Sequence, residues 1–287
     1  MKIGLTFFPT RPQFMVPMAK RADELGFESI WAPEHLVFPT KVTSQYPYNP
    51  EAGPPLPTTP LFDPLIALTY VAAVTSRVQL GTGVYILPLR HPIITARAVA
   101  SLDVLSQGRV LLGIGVGWLK EELEAVDSDF DNRGPRTDEI VEVMRRLWTE
   151  PTVAFDGKFY SFPEVGFEPK PVRSPVPILV GGETGPALRR AARIGDGWFG
   201  MGHTPDKARD RVRHLQSLRE AAGRGGEPLE ITVQCAVPPT VENFRKYEDA
   251  GVDRVTLSAR SFATKGRTVE SSIAGLEEFA GEVLSKL

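Results

Sequence analysis

Short apolar runs alternate with longer amphipathic ones along the whole chain, and this alternation limits the possible fold more than any single motif does. The apolar runs cover residues 2–8, 27–32, 78–87, 110–116, 177–181, 197–200, 230–236 and 254–258. Each is short and largely apolar, as expected of strands buried on both faces. Helical patterns follow at about 12–25, 63–75, 92–106, 118–126 with 135–148, 185–194, 206–222, 240–250 and 270–286. In the last of these, Ile273, Leu276, Ala280, Val283 and Leu287 recur at three- and four-residue steps on one face. Pro64, Pro92 and Pro205 sit in or just before first turns, where a missing N–H costs little. Gly26, Gly108, Gly195 and Gly251 stand after helical runs, where a left-handed cap would place glycine.

Eight strand–helix pairs predict an α/β fold closed into a single (β/α)8 TIM barrel, because an open doubly wound sheet usually has fewer. A length of 287 residues suits one such barrel, so residues 1–287 are expected to form a single domain. Two insertions interrupt the alternation, one after the second strand and one before the fifth. Residues 33–62 carry eight prolines and few aliphatics, which predicts an ordered loop or lid rather than a helix. Within 150–176, Asp156-Gly157 between apolar residues predicts a hairpin.

Composition removes several function classes. A formal net charge of −2 gives no general attraction to nucleic acid or membrane. No apolar stretch approaches the roughly 20 residues of a spanning helix. The single cysteine, Cys235, cannot form an internal disulfide, and the first residues lack a signal-peptide pattern. A reducing, cytoplasmic location and a small-molecule substrate are expected.

Barrel enzymes carry their chemistry on the loops that follow strands. After the second strand, Glu34-His35 joins a carboxylate to an imidazole that can move a proton near neutral pH; a histidine satisfied within a long loop is the alternative. Gly81 and Gly83 in the third strand, and Gly113, Gly115 and Gly117 in the fourth, leave gaps in side-chain packing. In the third strand they suggest a bulge or the close approach of a flat ligand, with simple barrel crowding as the alternative; in the fourth they make room for a ligand or a bulky neighbour. The G-x-G-x-G spacing is not a dinucleotide fingerprint, since its third glycine comes one residue early and the run is mid-chain. After the fifth strand, residues 181–187 open a helix with small residues, which suits either a phosphate or an ordinary Thr184 N-cap. His91 and His214 read as structural or solvated.

No lysine lies at a strand end where a Schiff base would need it, and the four histidines are too scattered for a metal-dependent hydrolase. No metal is therefore expected. Phe7, Phe8, Trp31, Ile86, Trp118, Trp198, Phe199 and Met201 make the strand ends apolar and aromatic, a lining suited to a planar cofactor and an apolar substrate.

Six collinear segments now identify a resemblance: Pro33-Glu34-His35, Gly81-Thr82-Gly83-Val84, Arg90-His91-Pro92, Leu102-Asp103-Val104-Leu105-Ser106-Gln107-Gly108-Arg109, Gly113-Ile114-Gly115-Val116-Gly117-Trp118 and Gly195-Asp196-Gly197-Trp198. Over nearly its whole length the chain resembles the bacterial luciferase-like monooxygenase family, especially its branch using coenzyme F-420, the 8-hydroxy-5-deazaflavin. The resemblance implies His35 as the active-site histidine and Glu34 as an acidic residue beside the deazaflavin ring. It implies a bulge at Gly83-Val84, often with a cis peptide, against the back of the ring. It implies further cofactor contacts from Ile86, Val116 and Gly117, with Gly182, Glu183, Thr184, Pro186 and Ala187 around the cofactor phosphate. The substrate pocket is expected from Phe7, Phe8, Trp118 and Met201.

The implied reaction is hydride transfer between the deazaflavin and a small, mostly apolar substrate, with His35 moving the balancing proton. Trp118 stands where the glucose-6-phosphate dehydrogenases of this family carry a catalytic glutamate, and Thr204 where they carry a substrate-phosphate lysine. That departure points away from sugar phosphates and toward a carbonyl, imine or activated alkene. The alternatives are an FMN-dependent monooxygenase of the same family, a non-catalytic deazaflavin-binding protein, and an unrelated phosphate-binding barrel such as an isomerase. Relatives of this kind are often homodimers, so a second copy is the expected macromolecular partner.

Overall fold

The computed structural model describes residues 1–7, 11–47, 56–262 and 268–287. The first four barrel positions are β1 (Lys2–Thr6), β2 (Ser29–Ala32), β3 (Gln79–Thr82) with its two-residue continuation β4 (Tyr85–Ile86), and β5 (Val110–Gly115). A separate antiparallel hairpin, β6 (Thr152–Asp156) and β7 (Ser161–Gly166), turns at the predicted Asp-Gly. The barrel then resumes with β8 (Ile178–Gly181), β9 (Gly197–His203), β10 (Glu230–Cys235) and β11 (Arg254–Ser258). All barrel pairings are parallel. The order β3-β2-β1-β11-β10-β9-β8-β5 closes where Leu80 of β3 meets Val110 of β5. The expected eight-stranded barrel is thus present.

Helices α1 (Pro12–Leu25), α2 (Pro64–Ala72), α3 (Pro92–Leu105), α4 (Lys120–Glu124), α5 (Arg133–Thr149), α6 (Gly185–Ile194), α7 (Pro205–Ala221), α8 (Val241–Asp249) and α9 (Val269–Glu282) follow the strands. Pro64, Pro92 and Pro205 open α2, α3 and α7, as their sequence positions predict. Gly26, Gly108 and Gly251 have positive φ, but Gly195 does not. At Gly195 the chain is extended, and an added Cβ would lie 2.7 Å from the Ala191 carbonyl oxygen, so glycine serves close approach there rather than a left-handed cap.

Alternation along each strand divides the core in two. Ile3, Leu5, Ile30, Leu80, Val110, Leu112, Ile178, Val180, Val233 and Val255 belong to one apolar cluster with the surrounding helices. Trp31, Leu111, Leu179 and Phe199 form a separate cluster, with Val84 and Met201 against it. This second cluster fills the barrel interior. At its lower end Arg254 donates to both carboxylate oxygens of Glu28 at 2.6 Å and pairs with Glu230, while its guanidinium lies 5.5 Å from the Trp31 ring centroid. Removing one partner from such a buried set costs about 3–5 kcal/mol, so the charged base anchors the tryptophan above it.

Three sequence expectations are refined. The run at 78–87 breaks after Thr82, and the Gly83–Val84 peptide is cis. The sixth barrel strand extends to His203, three residues beyond its apolar run. In the long insertion, residues 33–47 and 56–62 contain no helix or strand among the described residues.

Candidate active site

The interior glycines are occupied by the chain itself. An alanine Cβ at Gly81 would collide with the Trp31 ring, and one at Gly4 would lie 2.8 Å from the indole nitrogen. That nitrogen donates to Ser29 Oγ at 2.8 Å, and the ring packs on Phe199 at 5.1 Å. The flat group seated against Gly81 is therefore Trp31, which realises the crowding alternative for the third strand. Higher up, Val84 has the same relation to Gly115 and Gly181: a Cβ at either would lie 2.7 Å from one of its two methyl groups. Val84 is half-buried and spans from β5 to β8, forming a floor over the filled interior.

His35 stands on the loop that follows β2. Its Nδ1 is 2.8 Å from Glu122 Oε2, and the Glu122 side chain is fully buried. Glu122 Oε1 also accepts from the amides of Leu36 at 2.5 Å and Val37 at 3.4 Å. Phe38 packs on the imidazole with centroids 4.9 Å apart, Trp118 meets it edge-on at 5.8 Å, and Tyr46 meets Trp118 at 5.2 Å. The adjacent Glu121 takes the amides and hydroxyls of Thr43 and Ser44 at 2.6–3.2 Å. Its slight burial pushes its pKa up, but these donors outweigh that and hold the carboxyl at about 2. Two consecutive carboxylates on α4 thus fasten the loop that carries His35.

Glu34 faces elsewhere. Its Oε2 accepts from Ile86 N–H at 2.6 Å, and its Oε1 pairs with Arg90 at 2.6 Å. Arg90 also reaches Asp63 at 3.2 Å and lies 4.5 Å from the Tyr85 ring centroid. Burial drives the Glu34 pKa up to about 7, although Arg90 and the Ile86 amide oppose it. Desolvation, with Glu34 nearby, also raises the Tyr85 hydroxyl. Ile86, held by Glu34, touches the next predicted position: a Cβ at Gly117 would lie 3.0 Å from it. Arg133 fixes Gly117 through its carbonyl oxygen at 3.1 Å.

On the far side of Val84, Gly182 has positive φ and its carbonyl accepts the Trp198 indole N–H at 3.0 Å. Thr184 caps α6 by accepting from Ala187 N–H at 3.4 Å, so the capping alternative is realised. Pro186 has no N–H, which leaves the amides of 182–185 as the donors an anion at this helix start would meet. The Arg189 guanidinium lies over Gly185, where an added Cβ would be 3.1 Å from Nη1. The Glu183 carboxylate turns away to His203 at 2.9 Å and Arg211 at 3.3 Å, so it does not oppose a phosphate there with an unpaired charge.

The structure gathers Glu34, His35, Ile86, Gly117 and Trp118 into one patch, with Val84 leading from it to Gly182. Val116, Gly83 and Met201 are half-buried near this line, while Thr184 and Pro186 are exposed. Ala187 is buried within α6. Phe7 is buried too, lining a small apolar cavity of about 20 Å³ with Met15, Ile30, Leu61 and Leu68, of which His35 is not a lining residue. Phe8 lies outside the described residues. Trp31, Trp198 and Phe199, read from sequence as part of an aromatic lining, are instead core fillers with at most 2% exposure.

Sequence reasoning gave no role to Glu121, Glu122 or Arg90, although Arg90 lies in a segment of the resemblance, and passed over Phe38, Tyr46 and Arg133. For Glu121 and Glu122 the available signal was a pair of carboxylates opening a short helix directly after a glycine-rich strand end.

Comparison with known proteins identifies the family and the fold. The sequence model of the luciferase-like monooxygenase family matches residues 6–243. An uncharacterised protein of Mycobacterium tuberculosis (strain ATCC 25618 / H37Rv) is 36% identical over 278 residues, covering 96% of each chain. An F420-dependent glucose-6-phosphate dehydrogenase of Amycolatopsis mediterranei (strain U-32) is 29% identical over 276 residues, 93% of this chain and 75% of that protein. Among solved structures, the monooxygenase RslO1 from Streptomyces bottropensis superposes with a TM-score of 0.74 at 25% identity, covering 100% of this chain and 99% of its own.

Proposed function

The chain belongs to the luciferase-like monooxygenase family, and within that family we propose that it is an oxidoreductase using coenzyme F-420 to exchange a hydride with a small, mostly apolar organic substrate. The observation that carries this reading is His35, held at the barrel mouth by a fully buried carboxylate and walled by Phe38 and Trp118. Its support from relatives is the F420-dependent dehydrogenase, similar over 93% of this chain.

The residues present fit a deazaflavin. Val84 offers an apolar floor, Ile86 and Gly117 a rim, and the amides of 182–185 with Arg189 a seat for a phosphate. Bound there, the deazaflavin supplies a carbon that gives or takes a hydride without readily activating oxygen. His35 moves the balancing proton on the substrate. Phe38, Trp118 and Tyr46 keep water from the reacting atoms and favour an apolar carbonyl, imine or activated alkene over a sugar phosphate. Glu34 orders the rim through Ile86 and Arg90.

The reading is tested by titrating the purified chain with F-420 and with FMN, followed by anaerobic turnover of reduced F-420 against a panel of such substrates. Tight binding of F-420 alone and oxygen-independent turnover are expected. His35→Asn should lower kcat by about 10²–10⁴-fold while leaving F-420 affinity within about twofold. Binding of FMN alone, with oxygen uptake, would establish the monooxygenase alternative to which RslO1 lends support. Binding without turnover, unaltered in His35→Asn, would identify a carrier, and binding of neither flavin would remove the proposal.

A further inference from the structure

We propose that Glu122 is the positioning residue that decides which ring nitrogen of His35 carries the proton. The inference rests on the reading of His35 given above and goes beyond it by assigning the proton to one atom.

The two oxygens of Glu122 have different partners. Oε1 accepts two backbone amides, those of Leu36 and Val37, which fixes the plane of the carboxylate and the path of the chain just past His35. Oε2 is then aimed at His35 Nδ1, 2.8 Å away. An ionised carboxylate only accepts, so Nδ1 must donate and carry the proton. The neutral ring therefore presents Nε2 as its lone-pair nitrogen. Among the described residues, no hydrogen bond is made to Nε2. Phe38 and Trp118 on two sides hinder a ring flip that would exchange the nitrogens. Glu34, next in sequence, does not compete, because both its oxygens are engaged by Ile86 and Arg90. As Nε2 takes a proton from substrate, the imidazolium is stabilised by the buried carboxylate behind it; as Nε2 returns the proton, the same hydrogen bond restores the starting tautomer. This is the logic by which an acidic residue orients a catalytic histidine in hydrolytic triads, reached here from α4.

Glu122→Gln separates this role from simple support of the loop. The glutamine oxygen can still accept the Leu36 and Val37 amides, but its NH₂ group then faces Nδ1 and donates, which moves the proton to Nε2. The primary readout is ¹⁵N NMR of the imidazole in the protein without cofactor, with His35 assigned among the four histidines by its loss in His35→Asn. Wild type should show a protonated Nδ1 and a pyridine-type Nε2 when neutral, and Glu122→Gln should show the reverse. With F-420 and substrate, kcat should fall about 10²-fold or more, with KM and F-420 affinity within about twofold. A wild-type ring protonated at Nε2 would overturn the proposal, even if the variant failed to fold. So would a folded Glu122→Gln protein with an unchanged tautomer or unchanged kcat. The expected tautomers in a chain that turns nothing over would instead fault the functional reading and leave this assignment standing.

Discussion

At the scale of single residues, Glu34 and His35 show how neighbours in sequence acquire unrelated surroundings. Past the end of β2 the chain is not helical, and successive side chains point to opposite sides. One enters the Arg90–Asp63–Tyr85 cluster, the other meets a carboxylate 87 positions away. The Glu34-His35 pair was legible as a site but not as two separate environments, because no local pattern announces a partner so distant. The consequence for Glu34 is a folded-state pKa of about 7, raised by burial from a reference of 4.5. Between those values the folded chain keeps a proton that the unfolded chain has lost. Stability should therefore be fully present below pH 4.5 and decline as pH rises toward 7, by on the order of 3 kcal/mol from this group. Glu34→Gln removes the titration, so its stability should lack that decline. Urea unfolding of both proteins at pH 5 and pH 8 measures the difference; parallel pH dependences in the two would refute the assignment.

Among the elements, β3 to β5 carry the most information and were the most ambiguous in sequence. Their glycines announce missing volume, but volume can be filled by a ligand or by the protein, and only the packing distinguishes the two. Here Trp31 fills the lower gap and Val84 the upper one, so the same glycines that thin the walls also define the floor of the site. The strand break after Thr82 was readable as a bulge because glycine interrupts an apolar run. The two gaps make different predictions. Gly115→Ala pushes a methyl against a Val84 side-chain carbon 2.7 Å away and should cost about 1–3 kcal/mol. Val84→Ala in the same chain removes the obstacle, so the double variant should be more stable than the two single effects added together. Gly113→Ala meets the backbone carbonyl of Thr82, which cannot be trimmed, and Val84→Ala should give it no relief. Chemical denaturation of the six proteins, wild type, three single and two double variants, closes both cycles. Strict additivity for Gly115→Ala with Val84→Ala would mean that Val84 does not occupy the space assigned to it.

For the whole molecule, the eightfold alternation made the barrel readable in advance, because closing a parallel sheet requires a helix on every crossover and little else satisfies that count. What pattern alone did not give was the outer surface. α2 contains no charged residue, and Ile66 and Tyr70 on it are 71% and 55% exposed. Its neighbour α3 adds Ile94 and Leu105 at 64% and 68%. A helix apolar on its outward face as well as its inward one is built to be covered on both. The two adjacent helices therefore both present large apolar side chains to the outside, the kind of surface that marks an interaction site when it is contiguous. If the homodimer expected from the resemblance forms through this face, a twofold axis through α2 and α3 would let each copy cover the same residues of the other, needing no second complementary surface. Sedimentation velocity at about 10 µM, well above the Kd of a stable pair, should then report a dimer. Ile94→Glu, which buries a charge only if the faces pair, should yield a monomer whose circular dichroism is unchanged and whose Tm no longer varies with protein concentration. A wild-type monomer at that concentration, or an undisturbed dimer in Ile94→Glu, would move the contact away from this face.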